Sequence, residues 1–112
     1  MKKRRPTIVD LFAGVGGFSL GASRADFKLA ASVELDTINH LTHRLNFPKT
    51  VHLQSDVSEL GGPELVTAAG GVPDGIIGGP PCQGFSEIGR RRDNDPRNDL
   101  FVHFFRIVST CL

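Results

Sequence analysis

Neither Trp nor Tyr occurs in these 112 residues, Met occurs once and Cys twice. The aromatic content is therefore phenylalanine alone. The two thiols, Cys82 and Cys111, are far apart in the chain and form no CxxC pair, which argues against a zinc ribbon and against a disulfide framework. They fit a reducing cytoplasm, the expected location, which keeps Cys82 a thiol. No apolar run approaches the roughly 18 residues of a membrane span. The basic start, Met1-Lys2-Lys3-Arg4-Arg5, runs into Pro6-Thr7 and then Asp10. No uninterrupted apolar region follows it, so a secretory signal is not expected. The net charge of +1 is too small for a general polyanion binder. Repeats and low-complexity segments are missing as well.

Glycine, by contrast, is plentiful, and it gathers at two places. The more informative is Gly78-Gly79-Pro80-Pro81-Cys82-Gln83-Gly84-Phe85-Ser86. Proline fixes φ and removes an amide donor, and glycine lets the backbone approach a ligand closely. The apolar pair Ile76-Ile77 ends there, and no apolar period continues through Cys82. The thiol is thus expected at the carboxyl end of a buried strand, where ligands bind in open α/β sheets. A buried packing cysteine is the plainer alternative. Just beyond lie Arg90-Arg91-Arg92 and Arg97, interspersed with Asp93, Asp95 and Asp99. This stretch reads either as a phosphate-backbone contact or as a solvated loop.

Length predicts one domain, with residues 1–6 as a loose basic tail. Residues 7–12 read as a strand, apolar and β-branched, and the loop Ala13-Gly14-Val15-Gly16-Gly17 follows it. A helix is predicted over 18–25 with Phe18, Leu20, Ala22 and Ala25 inward. A second strand runs from about Phe27 to Val33, and Asp36 is the N-cap of a helix over 37–46 whose apolar set is Ile38, Leu41 and Leu45. Thr50 to Leu53 is a short third strand. Residues 58–72 hold at most a helical turn around Glu64-Leu65-Val66, ended by Gly70-Gly71. Pro73 to Gly78 is the fourth strand. A last helix from about Arg97 presents Leu100, Phe101, Phe104, Ile107, Val108 and Cys111 on one face. The alternation predicts an α/β fold, a parallel sheet flanked by helices and wound right-handed. With four strands at most and no strand after the last helix, the domain reads as incomplete.

The second glycine cluster adds chemistry. Gly14, Gly16 and Gly17 open a helix directly after an apolar strand, and Glu34 falls 20 residues after Gly14 at the end of the next strand. A carboxylate so placed accepts both ribose hydroxyls of an adenosine. The dinucleotide fingerprint Gly-x-Gly-x-x-Gly/Ala fails at Ser19, against a nicotinamide-binding oxidoreductase. Asp10, just before the loop, suits the cationic methionine end of S-adenosylmethionine better than a pyrophosphate. A satisfied strand-end carboxylate at Asp10 and a surface acid at Glu34 remain open.

Asp10-Leu11-Phe12-Ala13-Gly14-Val15-Gly16-Gly17-Phe18 resembles the first motif of the DNA cytosine-5 methyltransferases, and Gly79-Pro80-Pro81-Cys82-Gln83-Gly84-Phe85-Ser86 resembles their catalytic Pro-Cys motif. The two stand in the family's order and about its spacing, and the resemblance runs from residue 7 to 112. It implies the N-terminal portion of a Rossmann-like S-adenosylmethionine-dependent methyltransferase fold. The implied cofactor site is Asp10, Phe12, Ala13, Gly14, Gly16, Gly17, Phe18, Glu34, Asp56, Pro80 and Leu100. Within it Phe18 stacks on the adenine, Glu34 holds the ribose, Asp56 meets the adenine amine, and Leu100 contacts the methionine end. Cys82 is implied as the nucleophile on C6 of a cytosine flipped from double-stranded DNA, with Gln83, Ser86, Arg90, Arg91 and Arg97 in the loop that closes on the DNA. The family's Glu-Asn-Val motif, its later arginine motif, its target recognition region and its last strands fall beyond position 112. The resemblance therefore implies a fragment or subunit inactive alone, completed by a C-terminal chain that pairs with the open side of the fourth strand. A non-catalytic adenosyl-binding or regulatory module is the alternative.

His40 and His43 could share a metal but lack a third ligand in pattern, so a solvated helix face is expected and no metal. Phe101, Phe104 and Phe105 read as core rather than as a base-stacking platform, and Cys111 reads as a packing residue.

Overall fold

The structure, a computed structural model, describes residues 4–80 and 99–112. Four parallel strands, β1 (Thr7–Leu11), β2 (Lys28–Val33), β3 (Val51–Leu53) and β4 (Gly75–Gly78), lie in the order β3-β2-β1-β4. Between them run α1 (Gly17–Arg24), α2 (Thr37–Asn46) and α3 (Gly62–Ala69), the last preceded by a 3-10 turn at Val57–Glu59, and α4 (Asp99–Cys111) ends the chain. The winding leaves β1 in one direction through β2 to β3 and returns to β1's other side with β4. Strand order therefore reverses between β1 and β4, the place where doubly wound sheets form their ligand crevice.

Side chains alternate across a strand, and the two faces of this sheet differ sharply. Val9, Leu11, Ala31 and Val33 face α3 and α4, where they meet Leu65, Ile107, Cys111, Val57 and Leu60 in one buried cluster. Phe104 packs against that cluster, whereas Phe105 points to solvent. The opposite face carries a polar row. Asp10 is in register with Ser32, and Ser32 with His52. Over that row lie Ser19 of α1 and His43 of α2.

This row corrects the reading of both helices. Ile38 is 74% exposed and Leu45 83%, while His40 and His43 are buried. The stripe Ile38-Leu41-Leu45 and the stripe His40-His43-Phe47 have the same spacing, so periodicity alone does not choose between them. The choice is made by the sheet: Asp10 and Ser32 need hydrogen-bonding partners once buried, and Ser19 serves Asp10 while the His43 imidazole serves both Ser32 and Ser19, as aliphatic groups could not. For the same reason α1 buries Ser19 and leaves Phe18 and Leu20 outward. Three histidines do come together here, since His52 lies edge-on to both His40 and His43. Among the described residues, however, no group of three His, Cys, Asp or Glu is arranged to hold a metal ion.

Residues 57–72 contain more helix than expected. Asp56 caps the 3-10 turn through the Ser58 amide, and α3 starts with Pro63 in its first turn and ends on Gly70 in the left-handed conformation, the ordinary asymmetry of helix ends. At the amino end, Arg4 bonds Asp74 and the Pro6 carbonyl accepts from the Lys28 amide at 2.8 Å. These two residues are thus tied to the fold where a loose tail was expected. No helix among the described residues is long and apolar enough to cross a membrane.

Candidate functional site

All four strands end on the same side, and a groove of about 500 Å³ opens beyond their carboxyl ends. Phe12 enters it after β1, Val33 and Glu34 at the end of β2, Ser55, Asp56 and Val57 after β3, Gly79 after β4 and Leu100 from the first turn of α4. Phe12, Glu34, Asp56 and Leu100, far apart in sequence, thus line one groove. Leu35, Asp36, Asn39, Ser55 and Val57 also line the groove and were not anticipated. Leu35, Asp36, Ser55 and Val57 follow a strand end within a few residues, a signal too common to single them out, and Asn39 lies in the first turn of α2.

The glycine turn is held in a specific shape. Phe12 has φ 57, a left-handed conformation that costs a bulky residue on the order of 1 kcal/mol or more. The cost is offset by anchors on both sides: the Ala13 amide donates to the Val33 carbonyl at 3.0 Å, and the Gly14 amide donates to Glu34 Oε1 at 2.8 Å. Glu34 Oε2 accepts from the Asp36 amide, also at 2.8 Å. The carboxylate therefore fastens the turn after β1 to the connection after β2, and its remaining lone pairs are available to a ligand. Gly16, at φ 111, has no room for a side chain: a β-carbon there would sit 2.5 Å from Cε2 of Phe47 and 3.2 Å from Cδ2 of His43. Helix α2 thus forms the floor of the turn.

Asp56 lines the groove with Oδ1 accepting from both the amide and the hydroxyl of Ser58, at 2.9 and 2.7 Å. These bonds hold its carboxyl below the usual range, so it is ionised at neutral pH. Phe18 stands outside the groove. The residue is 59% exposed and its ring lies beside Gly79, where an added β-carbon would meet Cε2 at 3.1 Å, and it shares a second shallow recess with Gly17, Gly78 and Phe104. Pro80 is half-buried just past β4, and Gly17 begins α1. Cys82, Gln83, Ser86, Arg90, Arg91 and Arg97 lie outside the described residues.

Asp10 does not reach the groove. It is 0% exposed, and its Oδ2 accepts from the Ser19 hydroxyl at 2.6 Å while Oδ1 has no partner. Burial raises its carboxyl from 3.8 to about 6, against the Ser19 bonds. Burial, helped by His52 and His40, lowers His43 from 6.5 to about 4. The two shifts oppose each other. Between about pH 4 and 6 the folded chain keeps a proton on Asp10 that the unfolded chain has lost, so this carboxyl makes stability fall as pH rises. In the same window the folded chain lacks a proton that unfolded His43 holds, so the imidazole makes stability rise. Each slope approaches about 1.4 kcal/mol per pH unit. Asp10→Asn removes the first and leaves the second. The variant's stability is expected to climb with pH between 4 and 6 by about 1.4 kcal/mol per unit more than the parent's. Urea midpoints at three pH values measure this, and parallel profiles contradict it.

A parallel sheet covered on both faces, with a glycine turn after β1 and an acid after β2, defines a doubly wound α/β protein of the nucleotide-binding kind. The model of the C-5 cytosine-specific DNA methylases matches residues 6–111, and the chain belongs to that family. It is 47% identical over 107 residues to the type II methyltransferase M.XorII of Xanthomonas oryzae pv. oryzae, covering 93% of this chain and 25% of that protein. To M1.HphI of Haemophilus parahaemolyticus it is 47% identical over 106 residues, covering 91% and 28%. Among solved structures, a protein described as a DNA modification methyltransferase encoded within an E. coli prophage superposes with a TM-score of 0.82 at 46% identity, covering 95% of this chain and 29% of that one. The chain thus spans about a quarter of the length of such relatives and corresponds to the N-terminal part of their methyltransferase domain, the first strands of that fold.

Proposed function

We propose that this chain is the cofactor-binding and nucleophile-bearing part of a DNA cytosine-5 methyltransferase, using S-adenosylmethionine as methyl donor and Cys82 as nucleophile. The observation that carries the reading is the groove itself: Glu34 and Asp56 converge on it from two strand ends, with Phe12, Val33, Val57 and Leu100 as apolar walls. The residues fit an adenosyl group. Glu34 has acceptor capacity left for two ribose hydroxyls, Asp56 is an ionised acceptor for an exocyclic amine, and the walls take a planar base. When bound, S-adenosylmethionine supplies an electrophilic methyl on a sulfonium.

The chain leaves the groove through Gly79 and Pro80, two residues before Cys82. In the proposed reaction the Cys82 thiolate bonds to C6 of a cytosine extruded from the duplex, which is unreachable while stacked. Electron density moves to C5, which would take the methyl as its bond to the sulfonium sulfur breaks, the sulfur leaving as a neutral thioether. The C5 proton is then lost and the C6–S bond breaks, returning the thiolate. Covalent attack divides one difficult substitution into easier steps. Gln83, Ser86, Arg90, Arg91 and Arg97 are assigned to the DNA, the arginines as phosphate contacts. Motifs that lie elsewhere in the relatives are required for turnover, supplied on the same or a second polypeptide.

Glu34→Gln tests the groove. The amide keeps one acceptor and presents an NH2 group where the carboxylate accepted a second amide, so S-adenosylmethionine binding is expected to weaken about 10- to 100-fold. Isothermal titration measures it, and unchanged affinity removes Glu34 from the site. NAD binding with no affinity for S-adenosylmethionine contradicts the reading altogether.

A further inference from the structure

Beneath the glycine turn, the polar row of the sheet and the buried faces of α1 and α2 form an unbroken chain of hydrogen bonds. Asp10 Oδ2 lies 2.6 Å from Ser19 Oγ, Ser19 Oγ 2.8 Å from His43 Nε2, and His43 Nδ1 2.8 Å from His52 Nε2. Asp10, Ser19 and His43 are fully buried. His52 is only half-buried and opens onto a surface recess beside Leu41, Arg44 and Pro48. We propose that Ser19, His43 and His52 are positioning residues that act as a proton relay, setting the charge of Asp10 under the glycine turn from the surface at β3.

Each hydrogen bond fixes the direction of the next. With Asp10 ionised, the Ser19 hydroxyl donates to Oδ2, His43 donates from Nε2 to Ser19, and His43 Nδ1 is left as an acceptor for His52 Nε2–H. A proton gained by His52 at its other ring nitrogen reverses the chain. His52 Nε2–H passes to His43 Nδ1, His43 Nε2–H to Ser19 Oγ, and the Ser19 proton to Asp10 Oδ2. Every group ends neutral, and every donor has become an acceptor. Protonation at Oδ2 is favoured over Oδ1 because Ser19 can receive that proton and nothing receives one at Oδ1. Ser32 Oγ, 3.3 Å from His43 Nδ1, can donate or accept and so tolerates both directions.

The surroundings favour a neutral end state. Glu34 raises the Asp10 carboxyl further, His40 disfavours charge on both His43 and His52, and Arg44 disfavours it on His52. Bonds from the His52 ring to the Thr50 and His43 backbones favour the incoming proton there, against burial. The turn senses the outcome because the His43 ring lies beside Gly16, where an added β-carbon would meet it at 3.2 Å, and Ser19 lies in the first turns of α1. An ionised Asp10 beneath the turn favours a cationic ligand above it, a consequence that rests on the cofactor reading given above.

The relay is tested without cofactor, by 15N NMR of histidine-labelled full chain between pH 8 and 5. His43 is expected to stay neutral throughout while its proton moves from Nε2 to Nδ1, with the same midpoint as the Asp10 carboxyl carbon. In Asp10→Asn the Nε2–H form is expected to persist at every pH. In Ser19→Ala the His43 tautomer no longer follows Asp10. A His43 that keeps one tautomer while wild-type Asp10 titrates, or that becomes an imidazolium there, overturns the relay even if neither variant folds. The consequence is tested by S-adenosylmethionine titrations over the same range. Affinity is expected to drop about tenfold as the chain reverses, and to be pH-flat in Asp10→Asn. Reversal of His43 without binding at any pH sinks the cofactor reading and leaves the relay standing. Reversal with pH-independent binding overturns the positioning role.

Discussion

Cys82→Ser is expected to abolish covalent capture of a 5-fluorocytosine duplex and to lower methyl transfer by roughly 10⁴-fold or more, while S-adenosylmethionine binding stays within about twofold of the parent. Fluorine at C5 does not leave as the proton does, so the adduct formed by the parent cysteine accumulates and is read on a denaturing gel. A serine hydroxyl is far less ionised than a thiol at neutral pH and far less nucleophilic. The assay is run with the motifs that the longer relatives carry beyond the matched segment, on one polypeptide or two. An adduct that survives the substitution refutes Cys82 as the nucleophile. The binding arm separates loss of chemistry from loss of fold, because the proposed ribose and adenine contacts, Glu34 and Asp56, are other residues.

Gly78→Ala is expected to be the most destabilising single methyl addition. Gly78 is paired with Leu11 across β1 and β4. A β-carbon at this position overlaps the Leu11 carbonyl oxygen and presses Cε2 of Phe104 at 3.0 Å. The overlapped atom belongs to the backbone of a central strand, so it has no rotamer to escape into. Overpacking of this kind costs about 3 kcal/mol, a large part of the stability of a domain this size, and thermal unfolding is expected to fall by roughly 10 °C or more. Because β4 delivers Gly79 to the groove, cofactor affinity should fall in the same variant. Unaltered unfolding means that β4 does not pair with β1 in this register.

The strands along the chain and the groove were largely legible in the sequence, because strand ends and glycine turns are local signals; the lateral order β3-β2-β1-β4 came from the structure. Lys28–Val33, Val51–Leu53 and the run ending at Gly78 each stop at a change from apolar to polar or flexible residues. Since parallel strands end on one side, the residues that follow them must meet. Spacing along the chain singled out Glu34, whereas Asp56 was named by the family resemblance alone. The logic of strand ends did not place Phe18, whose apolar ring suggested the core or the ligand but which lies outside the groove beside Gly79. Nor did it find the inward face of α2. Ile38, Leu41 and Leu45 make the better hydrophobic stripe, yet they face solvent, because the sheet beneath presents Asp10 and Ser32 rather than an apolar surface. A helix's buried face is chosen by what it packs against, and that information sits in other strands. The extent of α3 was likewise hidden, since Gly61-Gly62-Pro63 reads as loop until the Gly61 amide is seen to bond the Glu64 carboxylate.

The most direct measurement is a crystal structure of the chain soaked with S-adenosylhomocysteine. The ribose hydroxyls are expected on the Glu34 carboxylate and the adenine amine on Asp56, with Phe12 and Leu100 alongside. Density for the purine elsewhere, for instance in the recess between Phe27 and Phe47, or a groove that stays empty at saturating ligand, contradicts the assignment of this groove as the methyl donor's site.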